Sequence, residues 1–286
     1  MMTSRPHRSA GFTLIEIVMV IVIIGIISGM VAVFVVKPVQ GYIDAVQRAE
    51  LTDSADVALR RLTRDVRLAL PNSLRTTTGG FEFIITKAGG RYRDDADGSN
   101  CAISNCLSFT NSTTTTFDIL GTSPSNPPLI NPGDSIVIYN LGQDTPADAY
   151  ASGSQTNRTT VTVTSGTPFV ATMATNVFAA QTTPLPSPNS RFQVVDQNDR
   201  VVRYICNGDG TLTRYSGCSF TITTEECSSS VLAGSATAEP KATCTIDYTS
   251  AATGRNGLLY IELKLTDTPS GESVTLFQQI HVDNAP

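Results

Sequence analysis

The chain has 286 residues, of which 16% are charged and 41% are hydrophobic, and its formal net charge is −5. This composition is typical of a folded globular protein and excludes an intrinsically disordered chain. The acidic balance argues against a polyanionic partner such as nucleic acid.

The first predicted element is an apolar segment from Phe12 to Val36, in which Glu16 is the one charged residue. The segment is longer than the roughly 20 residues that cross a bilayer as a helix. A carboxylate in such a helix costs about 2.5–3.5 kcal/mol on insertion, so Glu16 is a functional candidate by default. The alternative is that Glu16, close to the start of the segment, reaches the headgroup region and has no role.

A short basic leader precedes the apolar segment. Residues 1–11 contain Arg5 and Arg8 but no acidic residue, and they end in Gly11, directly before Phe12-Thr-Leu-Ile-Glu. The arginines predict a cytoplasmic leader and an exported remainder. A conventional secretory signal fits less well, because the apolar run is too long and no A-x-A-like cleavage site closes it.

The order of these residues resembles the class III signal of type IV pilins and type II secretion pseudopilins. The resemblance implies that a prepilin peptidase cleaves between Gly11 and Phe12 and methylates the new Phe12 amine. It further implies that Glu16 pairs with the Phe12 amine of a neighbouring subunit during assembly, since a buried amine and carboxylate stabilise each other at low dielectric. Loss of the two leader arginines would leave 18 basic against 25 acidic residues, a net charge of −7.

The next predicted element is an amphipathic helix over residues 37–70, which continues the membrane-spanning helix of residues 12–36. Pro38 is expected to loosen the helix and Pro71 to end it, so a continuous helix is predicted from Thr13 to Leu70. Its apolar stripe consists of Val39, Ile43, Val46, Ala49, Ala55, Leu59, Leu62, Val66 and Ala69. The arginines from Arg60 to Arg67 are interpreted as its solvated face, in preference to a polyanion-binding patch.

Residues 71–286 are predicted to form a β-rich exported domain, because short alternating runs are separated by Gly, Pro, Ser and Thr. The clearest hairpin is the last one, which turns at residues 269–271. Its inner face is expected to contain Leu259, Ile261, Leu263, Leu265, Val274, Leu276, Ile280 and Val282. A single meandering antiparallel sheet is expected, with long loops at residues 122–132 and 180–189. The predicted fold class is α+β, with a pilin-like long helix packed on an antiparallel β-rich domain.

All six cysteines lie beyond the apolar segment, in the compartment where disulfides form. Six cysteines allow 15 connectivities. Pairing of sequence neighbours predicts the bonds Cys101–Cys106, Cys206–Cys218 and Cys227–Cys244. A metal site is disfavoured, because no pair has C-x-x-C spacing and His281 is the one histidine beyond the leader.

An acidic cluster precedes the first cysteine. Asp94, Asp95 and Asp97, with the following Gly98 and Asn100, resemble the front of a calcium-binding loop. The register fails, because neither the first position nor the twelfth would supply a carboxylate. A solvated turn is therefore the preferred interpretation, and calcium binding stays open.

No motif of a Ser, Cys or metal-dependent hydrolase, P-loop or dinucleotide site is present. We therefore predict no enzymatic activity and no cofactor. A membrane-tethered glycosidase with paired carboxylates has no sequence motif and stays open, although the absence of Trp argues against a sugar-stacking groove.

Several scattered segments are similar to minor pilin-like subunits of mannose-sensitive haemagglutinin pili. They are Pro38–Asp44, Arg48–Leu51, Ala58–Leu62, Ala69–Ser73, Arg203–Cys206 and His281–Asn284. The resemblance implies a low-abundance subunit that helps to initiate or cap a type IV pilus. Such a subunit is a single-pass protein of the bacterial inner membrane before assembly and lies in the periplasm and cell-surface pilus, near the tip, afterwards.

The partners implied by these resemblances are other pilin and minor pilin subunits, prepilin peptidase and the inner membrane. Two other assignments share the same features. They are a minor pseudopilin of the J kind in type II secretion and an adhesin at the pilus tip.

Overall fold

The computed structural model describes residues 11–94, 101, 104–120, 130–153, 156–164, 168–221, 227–250 and 256–286. The chain divides between Glu50 and Leu51 into two compact units. The first contains the apolar helix, and the second contains the β-rich region together with the end of the following helix.

The helical region consists of α1, Leu14–Val31, a π-helical segment, Ala32–Val36, and α2, Lys37–Val66. The π-helical segment ends two residues before Pro38, which has no N–H and whose ring crowds the preceding turn. A local change of hydrogen-bonding pattern accommodates the proline, so the prediction that the helix loosens there without ending is confirmed.

The helix ends at Val66, before the predicted end at Leu70. The backbone N–H of Leu70 donates to the carbonyl of Ile84 at 2.7 Å, and the N–H of Thr86 donates to the carbonyl of Leu68 at 2.8 Å. Residues 68–70 are thus held by backbone hydrogen bonds to residues 84–86. These bonds replace the last helical turn that the sequence predicts before Pro71.

The strands of the second unit follow α2. They are β1 Arg75–Thr77, β2 Gly80–Ile84, β3 Ala88–Tyr92, β4 Thr116–Leu120, β5 Ser135–Val137, β6 Arg158–Thr164, β7 Phe169–Met173, β8 Arg191–Val195, β9 Val201–Asn207, β10 Thr211–Cys218, β11 Ser228–Gly234, β12 Lys241–Ser250, β13 Asn256–Asp267 and β14 Glu272–Asp283. A short helix, α3, Val177–Ala180, lies between β7 and β8.

These strands form three structures in the described part of the chain. One open sheet has the order β1-β2-β9-β10-β11, a second has the order β12-β13-β14, and β3-β4-β7-β6-β5-β8 close into a barrel. All the strand pairs are antiparallel. The predicted α+β layout is confirmed, but the expectation of one meandering sheet is wrong.

The barrel is an insertion between two strands that pair with each other. β2 pairs with β9, and Ile84 lies opposite Val201. The chain between them closes on itself, since β3 pairs with both β4 and β8. The interior is filled by its own apolar cluster, which includes Tyr92, Leu107, Phe109, Phe117, Ile136, Val161, Phe178, Phe192 and Val194.

The second half of α2 packs on the open sheets in a separate core. Ring stacking contributes to it, with centroid distances of 5.4 Å between Phe81 and Tyr204 and 6.5 Å between Phe83 and Tyr204. The buried helix residues are Leu51, Ala55, Ala58, Leu59, Leu62 and Val66. Burial of each large side chain contributes about 1.5–3 kcal/mol.

The last hairpin has the predicted register. Leu259 lies opposite Ile280, and Leu263 lies opposite Leu276. The predicted inner-face residues of β13 are buried, and those of β14 are buried or pack against the same core. The predicted loop of residues 180–189 contains no helix or strand except Ala180, which is the last residue of α3. The other predicted loop lies largely outside the described residues.

Candidate assembly site at the start of the chain

Thr13 and Glu16 form a capping box at the start of α1. The Glu16 carboxylate oxygen Oε2 accepts hydrogen bonds from the backbone N–H of Thr13 and from its hydroxyl, both at 2.9 Å. In return the backbone N–H of Glu16 donates to Oγ1 of Thr13 at 3.4 Å. Two N–H groups that a helix start leaves without intrahelical partners are thereby satisfied.

The capping box orients the Glu16 carboxylate. It holds the charge in the first turn, at the positive end of the helix dipole. Both bonds use Oε2, so within the described residues Oε1 accepts no hydrogen bond. The carboxylate can therefore accept a further donor from outside the chain without breaking the cap.

Gly11 and Phe12 lie in an extended, exposed stretch before the helix. A Cβ added to Gly11 would meet no heavy atom within 4 Å. No packing contact in the described chain therefore requires glycine at this position. The Phe12 side chain is 86% exposed, so the Gly11–Phe12 bond is accessible in the isolated chain.

The helix that follows has an apolar surface on all sides. Its large side chains from Leu14 to Val36 are exposed in the isolated chain, and an 18-residue window has a mean hydropathy of 3.0. This is the one helix in the described residues that is long and apolar enough to cross a membrane. Exposure of so much apolar surface is expected for a segment that is solvated by lipid or by other helices.

Residues 6–32 match the family model for the prokaryotic N-terminal methylation motif. The start of the chain is a type IV pilin-like signal. No curated protein and no solved structure matches the chain. The signal indicates a pilin-like or pseudopilin-type protein, and the apolar helix is consistent with membrane anchoring.

Thr13 is the residue of this site that the sequence interpretation missed. The signal that identifies it is the spacing Thr13-Leu-Ile-Glu16, the capping-box pattern of Ser or Thr followed three residues later by Glu. The sequence predicts for Glu16 a free-energy cost of insertion into a membrane and a partner in another subunit. The structure adds a partner within the same chain.

The six cysteines form three disulfides, but only one of the predicted pairings is correct. The Cys101–Cys106 bond is confirmed. The predicted bonds Cys206–Cys218 and Cys227–Cys244 are wrong. The observed bonds are Cys206–Cys244 and Cys218–Cys227, with Cα–Cα distances of 6.0 and 4.6 Å.

The register of the β9–β10 hairpin explains this correction. Cys206 lies opposite Leu212 beside the turn, whereas Cys218 lies opposite Val201 at the far end of the pair. Two cysteines at opposite ends of such a hairpin are too far apart for a disulfide, which needs Cα atoms within about 7 Å. Cys206 instead joins the first open sheet to β12 of the second, and Cys218 closes the connection from β10 to β11 with Cys227.

The acidic cluster is only partly described. Asp94 is buried and forms an isolated bridge with Leu107, and its carbonyl lies 3.8 Å from Sγ of Cys101. Asp95 and Asp97 lie outside the described residues, as do Gly98 and Asn100. Within the described part of the chain, no group of three His, Cys, Asp or Glu residues could hold a metal ion.

The arginines from Arg60 to Arg67, on and directly after the last turns of α2, form a solvated face, as predicted. Arg60, Arg61, Arg64 and Arg67 are all exposed. Asp65 departs from the pattern and is only 5% exposed. Its carboxylate oxygen Oδ2 accepts hydrogen bonds from two groups of the sheet, so Asp65 belongs to the interior of the second unit.

Proposed function

We propose that this chain is a minor pilin that helps to initiate or cap a type IV pilus of the mannose-sensitive haemagglutinin type. The observation that carries the proposal is the pilin-like signal of residues 6–32 on a helix that is apolar apart from Glu16. In this proposal prepilin peptidase cleaves between Gly11 and Phe12 and methylates the Phe12 amine. The finer assignment to a subunit like subunit O of that pilus rests on the scattered sequence similarity.

Glu16 provides the contact between subunits in this proposal. Its Oε2 is held by Thr13, and Oε1 is available to the Phe12 amine of a neighbouring chain. An ion pair of this kind is strong in a low-dielectric environment, provided that its geometry is well ordered. The capping box supports the proposal because it fixes the carboxylate before the neighbour arrives.

The exposed side of α2 also supports assembly through helices. Val39, Ile43 and Val46 belong to the predicted apolar stripe, yet they are 52%, 48% and 38% exposed. An apolar stripe without a packing partner among the described residues is suited to packing against other helices. Neighbouring pilin-like subunits would supply those helices.

The barrel bears on the adhesin alternative. Its interior is filled by side chains such as Phe117 and Phe192, so it has the character of a packed core and not of a ligand cavity. A tip adhesin would have to bind its ligand on the outer surface or the loops. The pseudopilin alternative shares the signal and the helix and differs in the filament that it joins.

A deletion strain tests the proposed function against the pseudopilin alternative. Loss of the chain should greatly reduce the number of surface pili, and the full-length chain should restore them, while export of type II secretion substrates stays normal. Normal piliation with defective secretion would instead assign the chain to the secretion system.

A further inference from the structure

β14 is a long strand at the edge of the second open sheet. It spans Glu272–Asp283 and pairs with β13 along its full length without a register shift. Within the described residues no strand pairs with its other edge. The Gln279 carbonyl accepts a hydrogen bond from Nε2 of Gln278 at 3.4 Å, and the Glu272 N–H donates to Oγ of Ser270 at 3.2 Å. The other backbone N–H and C=O groups that point to that side are available to pair with a further strand.

This edge lacks the features that usually prevent strand addition. Between its terminal Glu272 and Asp283 it contains no Pro, Asp, Glu, Lys or Arg, and its pairing shows no bulge. The outer strands of the first open sheet differ, because β1 has only three residues and β11 pairs across a register shift. Natural proteins keep a long, uncharged edge open chiefly where a partner covers it.

A groove of about 500 Å³ lies beside this edge, between β14 and the last turns of α2. Its apolar lining includes Leu59, Leu68 and Leu276. A strand added to β14 would lie along this groove. Every second side chain of such a strand would point towards the apolar lining, because side chains alternate between the faces of a sheet.

The groove also carries a surplus of positive charge. Its lining contains Arg60, Arg64 and Arg67 against the single carboxylate of Asp56, which pairs with Arg60 at 2.6 Å. Arg64 lies 3.9 Å from Asp65, a carboxylate that also binds groups of the sheet. A basic groove in a chain of net charge −5 favours an acidic occupant.

We propose that β14 receives an acidic, extended segment of a partner subunit as an added strand, with alternate apolar side chains in the groove and carboxylates on the arginines. The inference rests on the proposed function, which supplies exported neighbours. A second copy of the chain adding its own β14 fits less well. That strand has no carboxylate between its terminal residues to meet the arginines.

Peptide binding to the purified full-length chain in detergent micelles tests this proposal. The probe is a fluorescent peptide of about eight residues that alternates Val and Glu, a typical strand length. One control peptide has Lys in place of Glu, and another has alternate backbone nitrogens methylated. Fluorescence anisotropy should show that the Glu peptide binds and that both controls bind at least about tenfold more weakly. Added salt should weaken the binding.

Two variants of the chain test whether the Glu peptide binds in the groove beside β14. The double variant Arg64→Glu, Arg67→Glu should bind the Glu peptide about tenfold more weakly. Arg61→Glu, which reverses a charge on the same helix outside the groove, should bind it normally. An unchanged unfolding temperature would show that both variants are folded.

Three results would overturn the proposal. They are equal binding of the Glu and Lys peptides, equal binding of the backbone-methylated peptide, and an equal effect of the Arg61 variant. A further experiment places the photocrosslinker benzoylphenylalanine at position 277 of the full-length chain. Crosslinked dimers, together with no peptide binding, would favour a second copy of the chain as the occupant of the β14 edge and would also overturn the proposal. Amino-terminal processing does not enter these measurements, so failure of the proposed function would be seen separately, in the pili of the deletion strain.

Discussion

Asp65 is the residue that departs furthest from the sequence pattern. It lies among exposed arginines, yet its Oδ2 accepts hydrogen bonds from the Tyr204 hydroxyl at 2.8 Å and from Nε of Arg214 at 2.6 Å. Helical periodicity places a residue on a face of its helix. It does not reveal which polar groups of a distant strand are aimed at that face.

We expect Asp65→Ala to destabilise the second unit by about 3–5 kcal/mol, because it leaves the largely buried Arg214 guanidinium with only the more distant Asp199 carboxylate, at 4.0 Å. Denaturant unfolding measures this free energy. Asp56→Ala removes an exposed helix pair with Arg60 and should cost about 0–1 kcal/mol. Equal losses in the two variants would show that the Asp65 network contributes nothing beyond a surface pair.

Tyr204 should make stability depend on alkaline pH. Burial raises its pKa well above the ordinary value, and the Asp65 carboxylate raises it further. As the pH rises, the Tyr204 hydroxyl ionises in the unfolded chain before it ionises in the folded chain. Its contribution to the free energy of unfolding is therefore complete below the ordinary tyrosine pKa of about 10 and is lost as the pH rises towards the folded-state pKa.

Tyr204→Phe keeps the stacked ring and removes the hydroxyl. The variant should be about 1–3 kcal/mol less stable at neutral pH, because the hydrogen bond to Asp65 is lost. The difference in unfolding free energy between the wild-type chain and this variant should shrink above a pH of about 10. Unfolding free energies measured across this range check the prediction, which a constant difference would contradict.

Gly11 gives a test of the signal at a single residue. Gly11→Leu should leave membrane insertion intact, because insertion depends on residues 12–36, and should block processing at the Gly11–Phe12 bond. No steric contact in the described chain disfavours a side chain there. Mass spectrometry of the amino terminus checks the result. Mature-size protein with a methylated Phe12 would contradict it.

Elements with a local signal could be predicted from the sequence. The apolar helix follows from a continuous hydrophobic run, α2 follows from apolar periodicity, and the last hairpin follows from two alternating runs around the turn at residues 269–271. The short helix α3 was not predicted. The disulfides illustrate what local signals omit. Pairing of neighbours was correct for Cys101–Cys106, whose loop is short, and failed where strand pairing separated Cys206 from Cys218.

The Cys206–Cys244 bond should contribute more stability than Cys101–Cys106, because it closes a longer loop. Sequence separations of 38 and 5 correspond to about 4 and about 2 kcal/mol in the chain-entropy model. In two variants, both cysteines of one of these bonds are changed to Ser. Comparison of their free energies of unfolding in denaturant tests which bond contributes more stability. Peptide mapping without reduction tests the connectivity, and a Cys206–Cys218 peptide would contradict it.

At the scale of the whole molecule, the arrangement of the strands could not be predicted. Barrel closure depends on pairing of β3 with β8, in which Ala88 lies opposite Val194. No turn or periodicity encodes so distant a contact. The candidate assembly site, by contrast, lies in one contiguous segment from Gly11 to Glu16. It could therefore be found without knowledge of the fold.

In the proposed function, Glu16 joins this chain to neighbouring pilin-like subunits. The most direct measurement is photocrosslinking in cells from position 46 on the exposed side of α2, with Glu16 intact or changed to Ala. We expect crosslinks to other pilin-like subunits when Glu16 is present. These crosslinks should be lost in Glu16→Ala while the chain stays in the membrane fraction, since insertion becomes easier without the carboxylate. Undiminished crosslinks and a normal number of pili in the Ala variant would show that Glu16 does not join the subunits.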